Sequence, residues 1–477
     1  MRERYGARHR WLFLLSVMIG SMAAIMSSTI VNVAIPGMSH HFALGQDRAQ
    51  WVTSGFMVAM TVGMLTTPWL LMRFGYRRTY VGTMLLLLMG GVAGGLADSY
   101  TLVLLARVAE GVAAGAVQPI PAIIILRAFE PTEQGRASGF FGMGVALAPA
   151  IGPSIGGLLV DWFGWRSIFF MVVPFCLASL YMARRFVPVT APGGTMANAA
   201  GTSLDWRGLL IASIGTICLL NGLVKLHGND HALSASLLGI AAAAVLCFVW
   251  WQNRLASSGG EPLVSLRLFG YRQYVMGSIV AAIYGTALFG STYLLPVYMQ
   301  LGLGLSASHV GTILLPAGLI LAVTIAGVGR MADHVPTYVL VSVGLALLAS
   351  SFALTALMTL TTALWVLVGL CVLGRIGLGC ILPSLNMGAM RGLPRELIAQ
   401  GSSTINFLRM LGGAAGVSLC GIILEWRLAV HGDSLANPQT SVARLAAFEE
   451  VFLMLGVVCA LAILAAWHVR SDTLSSK

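Results

Sequence analysis

Apolar runs of about 20 residues or more recur along the whole chain. The hydrocarbon core of a bilayer is about 30 Å thick, so an α-helix needs about 20 apolar residues to cross it. The runs lie near residues 11–36, 49–72, 79–97, 101–127, 136–160, 165–183, 207–226, 232–251, 273–299, 308–329, 337–357, 361–390, 399–426 and 448–468. This pattern predicts an all-α integral membrane protein with fourteen spans.

Composition supports the membrane assignment. Of the 477 residues, 57% are hydrophobic and 9% are charged, whereas about 25% of a soluble protein is charged. A cytosolic enzyme, a secreted disulfide scaffold and a disordered protein are therefore excluded. All seven cysteines lie in apolar runs, where cysteine behaves as a small hydrophobic residue. Because no P-loop and no soluble domain to hold one occur, an ATP-driven pump is excluded as well.

Basic residues alternate between the two sides of the predicted spans. With the N-terminus placed in the cytoplasm, twenty basic residues fall on that side and five on the other. Cytoplasmic loops of membrane proteins carry such an excess, so we expect a multi-pass protein of the cytoplasmic (inner) membrane with both termini inside. The net charge of +11 then reflects topology and predicts no nucleic-acid partner. The expected partners are the lipid bilayer and small amphipathic substrates.

A short repeat suggests that the chain consists of two related halves. The segment ARVAEG in the fourth predicted span resembles GRIGLG in the twelfth, and both contain Arg-x-x-x-Gly. The two are equivalent helices if spans seven and eight are an inserted hairpin between two six-helix halves. The predicted domains are an N-terminal bundle (1–185), cytoplasmic linkers with the hairpin (186–272) and a C-terminal bundle (273–477).

Six motifs occur in a consistent order along the spans. They are STIVNVAIP (Ser28–Pro36), MRFGYRR (Met72–Arg78), RVAEG (Arg107–Gly111), APAIGPSIGG (Ala148–Gly157), GRMADH (Gly329–His334) and NFLRMLGGAAGVS (Asn406–Ser418). Together they resemble the fourteen-span drug:proton antiporter family of the major facilitator superfamily. The resemblance implies the major facilitator fold and transport by alternating access. It also implies the proton gradient as the energy source, with no cofactor and no metal.

The chain departs from the family pattern at four positions. Ser27 stands where the family usually has an aspartate, and Pro68 and Met72 stand where the first loop motif usually has Gly and Asp. Glu110 stands where the fourth-span motif usually has Gln. One acid of the family is therefore missing, and another appears in a different span.

Arg107 and Glu110 are the charged pair of the fourth predicted span. Because they are three residues apart, they share a helix face, which Gln118 continues. Burial favours the neutral form of a carboxyl group, whereas a nearby guanidinium favours its charged form. We therefore expect Glu110, together with Arg107, to couple transport to protons. The alternative is that the two side chains neutralise each other as a structural pair.

Two further arginines, Arg375 and Arg409, lie near the middle of predicted spans. A charge at that depth is costly unless it meets a partner or water, and Glu110 is the only acid deep within a predicted span. At least one arginine is therefore free to meet a ligand, unless backbone carbonyls or residues reaching in from the helix ends satisfy it. The residues expected in the substrate cavity are Asn32, Gln118, Tyr284, Tyr293, Arg375, Asn406 and Arg409.

Two motifs carry structural roles that the family resemblance implies. The antiporter motif of the fifth span suits close helix packing and a kink, because glycine lets backbones approach and proline removes a backbone hydrogen bond. Its residues are Pro149, Gly152, Pro153, Gly156 and Gly157. The loop motifs suggest a cytoplasmic gate formed by Arg73, Gly75, Arg77, Arg78 and Asp333. The alternative is that these arginines are ordinary cytoplasmic anchors.

The leading hypothesis is proton-driven export of amphipathic drugs or toxic organic compounds, with a preference for neutral or anionic amphiphiles. One alternative is an exporter of lipophilic cationic drugs that uses Glu110 as the charge partner. Another is an exporter of one metabolite, such as a fatty acid, a siderophore or an antibiotic. An intramembrane enzyme is not expected, because no catalytic cluster occurs and no histidine lies deep in a predicted span. The outer loop from Trp426 to Glu450 is a candidate docking site for a periplasmic adaptor protein.

Overall fold

The computed structural model describes residues 8–43, 46–188, 203–226, 231–359, 361–433 and 441–468. Within these ranges the regular structure is helical, which confirms the all-α prediction. A bilayer core offers no water to the backbone, so a spanning segment has to satisfy its own N–H and C=O groups, and a helix does so. Most of the Pro/Gly-rich stretch after the sixth predicted span, and residues 434–440 of the candidate adaptor loop, lie outside the described residues.

The helices follow the predicted order. They are α1 (Arg8–His41), α2 (Gln46–Gly95), α3 (Tyr100–Val117), α4 (Ile120–Ala128), α5 (Gln134–Phe163), α6 (Ser167–Phe186), α7 (Trp206–Lys225), α8 (His231–Ser257), α9 (Arg272–Val297), α10 (Ala307–Met331), α11 (Thr337–Thr355), α12 (Leu364–Met390), α13 (Ile398–Val430) and α14 (Val442–Trp467). A 3-10 turn precedes α9 at Leu266–Gly270, and a π-helical turn extends it at Tyr298–Gly302.

Helix α2 contains both the second and the third predicted spans, which meet at Gly75. This residue has non-helical backbone angles, with φ 75° and ψ 172°, and it separates two helical arms. The Thr79 hydroxyl donates to the Leu70 carbonyl at 2.8 Å across the junction, whereas nine residues of a straight helix would separate the two by about 13.5 Å. A positive φ favours glycine because a side chain would be strained there. The chain therefore turns sharply at Gly75, within the segment Met72–Arg78 where the sequence predicts a tight loop.

Two further differences concern helix ends. The fourth predicted span is divided into α3 and α4 at Gln118 and Pro119, because proline removes a backbone donor. The last helix begins at Val442, earlier than the predicted 448. The hydroxyl of Ser441 caps it by accepting a hydrogen bond from the N–H of Arg444 at 3.0 Å. Charged residues in this first part of α14 interrupt the apolar run, so hydropathy alone does not indicate where the helix begins.

Twelve segments of the described structure are long and apolar enough to be membrane spans. Residues 51–95, which include both arms of α2, are one of them, and α5 is not among them. The helical membrane architecture is confirmed, but this count does not confirm the predicted number of fourteen. The most apolar windows of α7 and α8 are only 22% and 11% buried, against 72% for residues 100–128. The two helices of the predicted hairpin therefore have the smallest buried shares among the candidate spans.

The described helices group into two compact units. Unit 1 consists of residues 1–213, 247–266 and 394–407, and unit 2 consists of residues 214–246, 267–393 and 408–477. Helices α7, α8 and α13 therefore contribute residues to both units. The domain limits given by the sequence, at 185 and 272, remain a prediction.

Glycines bring the helices that carry charged residues close together in unit 1. A Cβ at Gly111 or Gly115 of α3 would collide with the carbonyl oxygens of Phe56 and Met60 in the first arm of α2. Small residues allow such backbone contacts between membrane helices. The close crossing places the side chain of Arg107 against α2.

Glycines also allow close backbone contact between α9 and α13 in unit 2. A Cβ at Gly285 would collide with the carbonyl oxygen of Arg409, and one at Gly412 would collide with that of Ala282. The Thr286 hydroxyl also donates a hydrogen bond to the Gly412 carbonyl at 2.9 Å. The crossing sets Arg409 beside the middle of α9.

Candidate functional site

Arg107 and Glu110 form an ion pair in the interior of unit 1, as their spacing predicts. Only 1% of the surface of Arg107 and 0% of that of Glu110 is exposed. The Arg107 Nη1 donates to Glu110 Oε2 at 2.6 Å. A charge-assisted hydrogen bond of this kind is stronger than a neutral one, and removal from water strengthens it further.

Ser27 of α1 joins the two charged side chains. Its hydroxyl accepts from Arg107 Nη1 at 2.8 Å and donates to Glu110 Oε2 at 3.2 Å. Its carbonyl accepts a further hydrogen bond from the same Nη1 at 3.2 Å. We call Ser27, Arg107 and Glu110 the charged cluster. It links α1 and α3 through charged and polar groups in the interior of unit 1.

Helix α2 supplies two more contacts to the guanidinium of Arg107. The Nε donates to the carbonyl of Val52 at 3.3 Å. The guanidinium carbon lies 4.1 Å from the ring centre of Phe56, a distance at which a cation is attracted to an aromatic face. Arg107 is therefore held by three helices, and only one of its contacts depends on the charge of Glu110.

One atom on each side of the pair has no hydrogen-bond partner among the described residues. These buried atoms are Glu110 Oε1 and Arg107 Nη2. Glycines in the second arm of α2 make room for the carboxyl group. A Cβ at Gly90 would lie 2.6 Å from Glu110 Cγ, and one at Gly91 would lie 3.5 Å from Oε1. Buried polar atoms are usually paired, so the unpartnered Oε1 is an exception in the interior of unit 1.

Helix α1 connects the charged cluster to the predicted antiporter motif in α5. One turn after Ser27, Ile30 packs on Gly156 so closely that a Cβ there would collide with its side chain. The Oγ1 of Thr29 lies 3.1 Å from the Cβ position of Gly152. Two motif glycines thus seat α1 against α5, as expected for residues that allow close packing.

The other motif residues are placed differently. Pro149 is exposed, Gly157 has open space around its Cα, and the side chain of Pro153 is outside the described set. Although the motif contains two prolines, α5 runs as one helix from Gln134 to Phe163.

The two remaining arginines lie in unit 2 and have no set of hydrogen bonds and ion pairs like that around Arg107. Arg375 on α12 and Arg409 on α13 are half-buried, and neither makes a hydrogen bond or an ion pair with any described residue. Tyr284 of α9 is 2% exposed and stands close enough to both guanidiniums to interact with them electrostatically. Tyr293, farther along α9, is half-buried. The structure therefore brings together three of the predicted cavity residues in unit 2.

Arg375 lines a recess between α9, α11 and α12 in unit 2. Three hydroxyl-bearing residues, Ser291, Ser351 and Thr355, share its wall with Cys371. The space inside is sufficient for about one water-sized group. The rest of the wall is mainly apolar and includes Leu295, Leu348, Phe352 and Leu378, so the guanidinium and the three hydroxyls are its polar groups.

The predicted cavity residues of unit 1 are dispersed. Asn32 is exposed on α1, where its Oδ1 accepts from the Thr53 hydroxyl at 3.2 Å. Asn406 is 4% exposed, and its amide donates to the Ser402 carbonyl at 2.8 Å. Gln118 is half-buried at the break after α3.

The predicted gate residues divide between the two units. Arg77 Nε donates to the Val187 carbonyl at 2.7 Å, and Asp333 lies in the turn after α10 in unit 2. Four of the gate residues surround the kink of α2 in unit 1: Arg73, Gly75, Arg77 and Arg78.

Two polar groups were missed by the sequence analysis. Ser27 had no assigned role, although it occupies the position where the family has an aspartate, and that departure was the available signal. Asp205 carried no signal, yet its carboxylate accepts hydrogen bonds from Gly208 N at 2.8 Å, Trp251 Nε1 at 2.8 Å and Gln252 Nε2 at 2.7 Å. It thereby fastens the start of α7 to the end of α8 within unit 1.

Comparison with known proteins is consistent with this architecture. Residues 17–417 match the family described as Major Facilitator Superfamily. The chain is 29% identical to the Multidrug resistance protein B homolog of Mycobacterium tuberculosis, over 90% of the chain and 80% of that protein. It is 28% identical to the Multidrug export protein EmrB of Haemophilus influenzae, over 91% and 84%. The fold resembles that of the proton:xylose symporter XylE, with a TM-score of 0.67 at 11% identity over 97% of this chain and 96% of that one.

Proposed function

The chain belongs to the Major Facilitator Superfamily and is of its multidrug-efflux type, and on this basis we propose that it is a proton-coupled exporter of amphipathic drugs or other toxic organic compounds. It works by alternating access and prefers neutral and anionic amphiphiles to cationic ones. The observation that carries this proposal is the buried charged cluster of Ser27, Arg107 and Glu110, with its one unpartnered carboxylate oxygen.

The proposal includes fourteen spans with both termini in the cytoplasm. Helix α2 consists of two arms, residues 46–74 and 76–95, that meet at the non-helical Gly75. At 1.5 Å per residue they are about 43 Å and about 30 Å long, so each is long enough to cross a bilayer core. Helix α5 is about 45 Å long and therefore long enough to cross. When the two arms of α2 are counted separately and α5 is added to the twelve candidate spans, the number is fourteen.

Proton uptake at Glu110 changes how α3 is attached to its neighbours. A proton on the carboxylate removes its charge and with it most of the attraction to Arg107. The guanidinium keeps its hydrogen bonds to the carbonyls of Ser27 and Val52 and its contact with the Phe56 ring. The environment of Arg107 therefore tolerates protonation of Glu110. Protonation mainly alters the hydrogen bond between Glu110 and Ser27.

That contact is one helical turn from the packing of α1 on α5. Ser27 bonds to Glu110, and Ile30 on the next turn of α1 sits on Gly156 of the antiporter motif. A shift of α1 on protonation would act directly on this crossing. We propose that this is how the charge state of Glu110 is coupled to opening and closing of the transport path.

The first test is Glu110→Gln, which keeps the shape and the hydrogen-bonding oxygen but cannot carry a proton. In sealed vesicles with an imposed pH gradient, the variant is expected to lose gradient-driven accumulation of substrate. It should keep substrate exchange in the absence of a gradient, because the site of substrate binding is not changed.

Glu133→Gln is the matched control, because Glu133 forms an ion pair with Arg10 at 3.0 Å at the partly exposed start of α5. This variant should accumulate substrate like the wild type. Normal gradient-driven accumulation in Glu110→Gln would show that the proton is carried elsewhere.

The preference for anionic substrates rests on Arg409. Its guanidinium has no partner among the described residues and lies beside Tyr284. We therefore expect Arg409→Gln to reduce transport of carboxylate-bearing amphiphiles about tenfold, equivalent to about 1.4 kcal/mol. Transport of neutral and cationic compounds should change less.

The matched control for this variant is Arg330→Gln, at an exposed position in the last turn of α10. An equal loss for all three substrate classes in Arg409→Gln would identify a structural arginine. That result would favour the export of lipophilic cations, for which Glu110 is the charge partner. In the present structure Glu110 is fully buried and already bonded to Arg107, which argues against that alternative.

A further inference from the structure

Arg375 carries a charge that the described structure does not neutralise. It lies within α12, and no carboxylate, carbonyl or hydroxyl among the described residues bonds to it. A charged residue inside the bilayer region is costly unless a partner or water compensates it. In unit 1 the charge of Arg107 is compensated by Glu110, an acid three residues later on the same helix. In the repeat, the position equivalent to Glu110 is Leu378, which cannot act as a counter-ion.

The recess beside Arg375 carries three hydroxyl groups on a wall that is otherwise mainly apolar. The hydroxyls of Ser291, Ser351 and Thr355 line it, and each now donates to a backbone carbonyl in its own neighbourhood, at 3.1, 2.8 and 2.7 Å. A hydroxyl group has one proton and rotates to suit its partner. These hydroxyl groups can therefore either accept a hydrogen bond from Arg375 or rotate to donate a hydrogen bond to a bound ligand.

A second unpaired donor lies on the same side of unit 2. Tyr298 is fully buried, and its hydroxyl has no hydrogen-bond partner among the described residues. Tyr298 follows Leu295, which lines the recess together with Cys371, by three residues. A buried donor without an acceptor therefore lies close to the recess along the chain.

The size and charge of the recess restrict what it can hold. A cation would be repelled by Arg375, and a drug-sized molecule would not fit a space for about one water-sized group. A water molecule fits but leaves the positive charge in place. We propose that the recess formed by Arg375, Ser291, Ser351 and Thr355 binds a small inorganic monoanion of the size of chloride. The anion takes the role in unit 2 that Glu110 takes in unit 1, and it is separate from the transported compound.

The test measures the apparent Tm of the full-length protein in detergent, in sodium chloride and in sodium gluconate at equal ionic strength. Gluconate is too large for the recess. A ligand that binds only the folded state stabilises it in proportion to the logarithm of its concentration. For a chain of 477 residues we expect a rise of about 1–2 °C for each tenfold increase in chloride above its Kd. Arg375→Gln should abolish the rise, and the control Arg330→Gln should keep it.

Equal apparent Tm values of the wild type in the two salts would overturn the proposal, and so would a chloride effect that survives in Arg375→Gln. A second measurement does not depend on whether that variant folds. Crystals of the wild type grown in sodium bromide should show an anomalous peak within hydrogen-bonding distance of the Arg375 guanidinium. A recess without such a peak would also overturn the proposal. None of these measurements involves transport, so their failure would leave the proposed export function untouched.

Discussion

Arg107 and Arg375 occupy matching positions of the short sequence repeat ARVAEG/GRIGLG, and their surroundings differ. In unit 1, Arg107 meets Glu110, Ser27 and a backbone carbonyl, and the cluster is closed to solvent. In unit 2, Arg375 meets no acid among the described residues and borders a small polar recess. One position, Glu110 in the first copy and Leu378 in the second, accounts for the difference in charge.

Under the two proposals above, the two copies of the repeat would have different roles. An attached carboxylate can exchange only a proton, which would suit the cluster in unit 1 to switching with pH. A recess without an attached acid can exchange a whole ion, which would suit the proposed site in unit 2 to responding to the anions present. The glycine-mediated helix crossings are of the same kind in the two units, and the chemistry therefore depends on a few side chains.

The largest effect is expected from removing the attached counter-ion. Glu110→Leu leaves Arg107 buried without its acid, and breaking a buried ion pair from one side typically costs about 3–5 kcal/mol. The apparent Tm of the purified protein should fall clearly. The double variant Arg107→Leu/Glu110→Leu should recover much of the loss, because no charge then remains buried. A double variant no more stable than Glu110→Leu would show that the cost comes from packing and not from charge.

A smaller effect is expected from giving unit 2 the residue that unit 1 has. Leu378→Glu places a carboxylate three residues after Arg375, on the same helix face. The new carboxylate should neutralise the Arg375 guanidinium. The difference in apparent Tm between chloride and gluconate should then disappear. Leu378→Gln is the control of equal size without charge and should keep the difference. If both variants behave like the wild type, Leu378 is not equivalent to Glu110.

The smallest effect is expected at Ser27, which only bridges the pair. Ser27→Ala removes two hydrogen bonds of the hydroxyl but leaves the Arg107–Glu110 contact intact. A loss of about 1 kcal/mol in stability is typical for such a change, and the pH dependence of transport should shift because Glu110 loses a donor. Ser28→Ala is the neighbouring control, since the Ser28 hydroxyl bonds only one turn back, to the Ile25 carbonyl at 2.6 Å. Identical pH profiles of the two variants would show that Ser27 does not take part in proton coupling.

Much of the fold follows from the sequence because a membrane restricts the choices. Apolar length predicts helices, and a helix is found in each of the predicted apolar runs. The predicted boundary failed where charged residues lie in the first turns of a helix, as at Arg444, and the predicted tight loop between spans two and three proved shorter than expected, because the chain turns at Gly75 alone. Hydropathy cannot resolve either case, since both depend on one local hydrogen bond or one backbone angle.

The candidate site was predictable only in part. The Arg107–Glu110 pair follows from helical spacing, because residues three apart share a face whatever surrounds them. The hydroxyl of Ser27 comes from a helix 80 positions away in the chain, and no local rule relates the two. For the same reason Asn406, expected in a cavity, lies buried with its amide bonded to its own helix.

The sequence by itself determined that the protein is a helical membrane protein, where its helices lie and that three arginines are placed deep in them. These properties depend on composition and on the period of a helix, which are local. Only the tertiary structure decided which arginine is neutralised and which is not. That outcome depends on close helix crossings, set by glycines such as Gly111 and Gly285, because a hydrogen bond or an ion pair forms only when two backbones bring its atoms within about 3 Å.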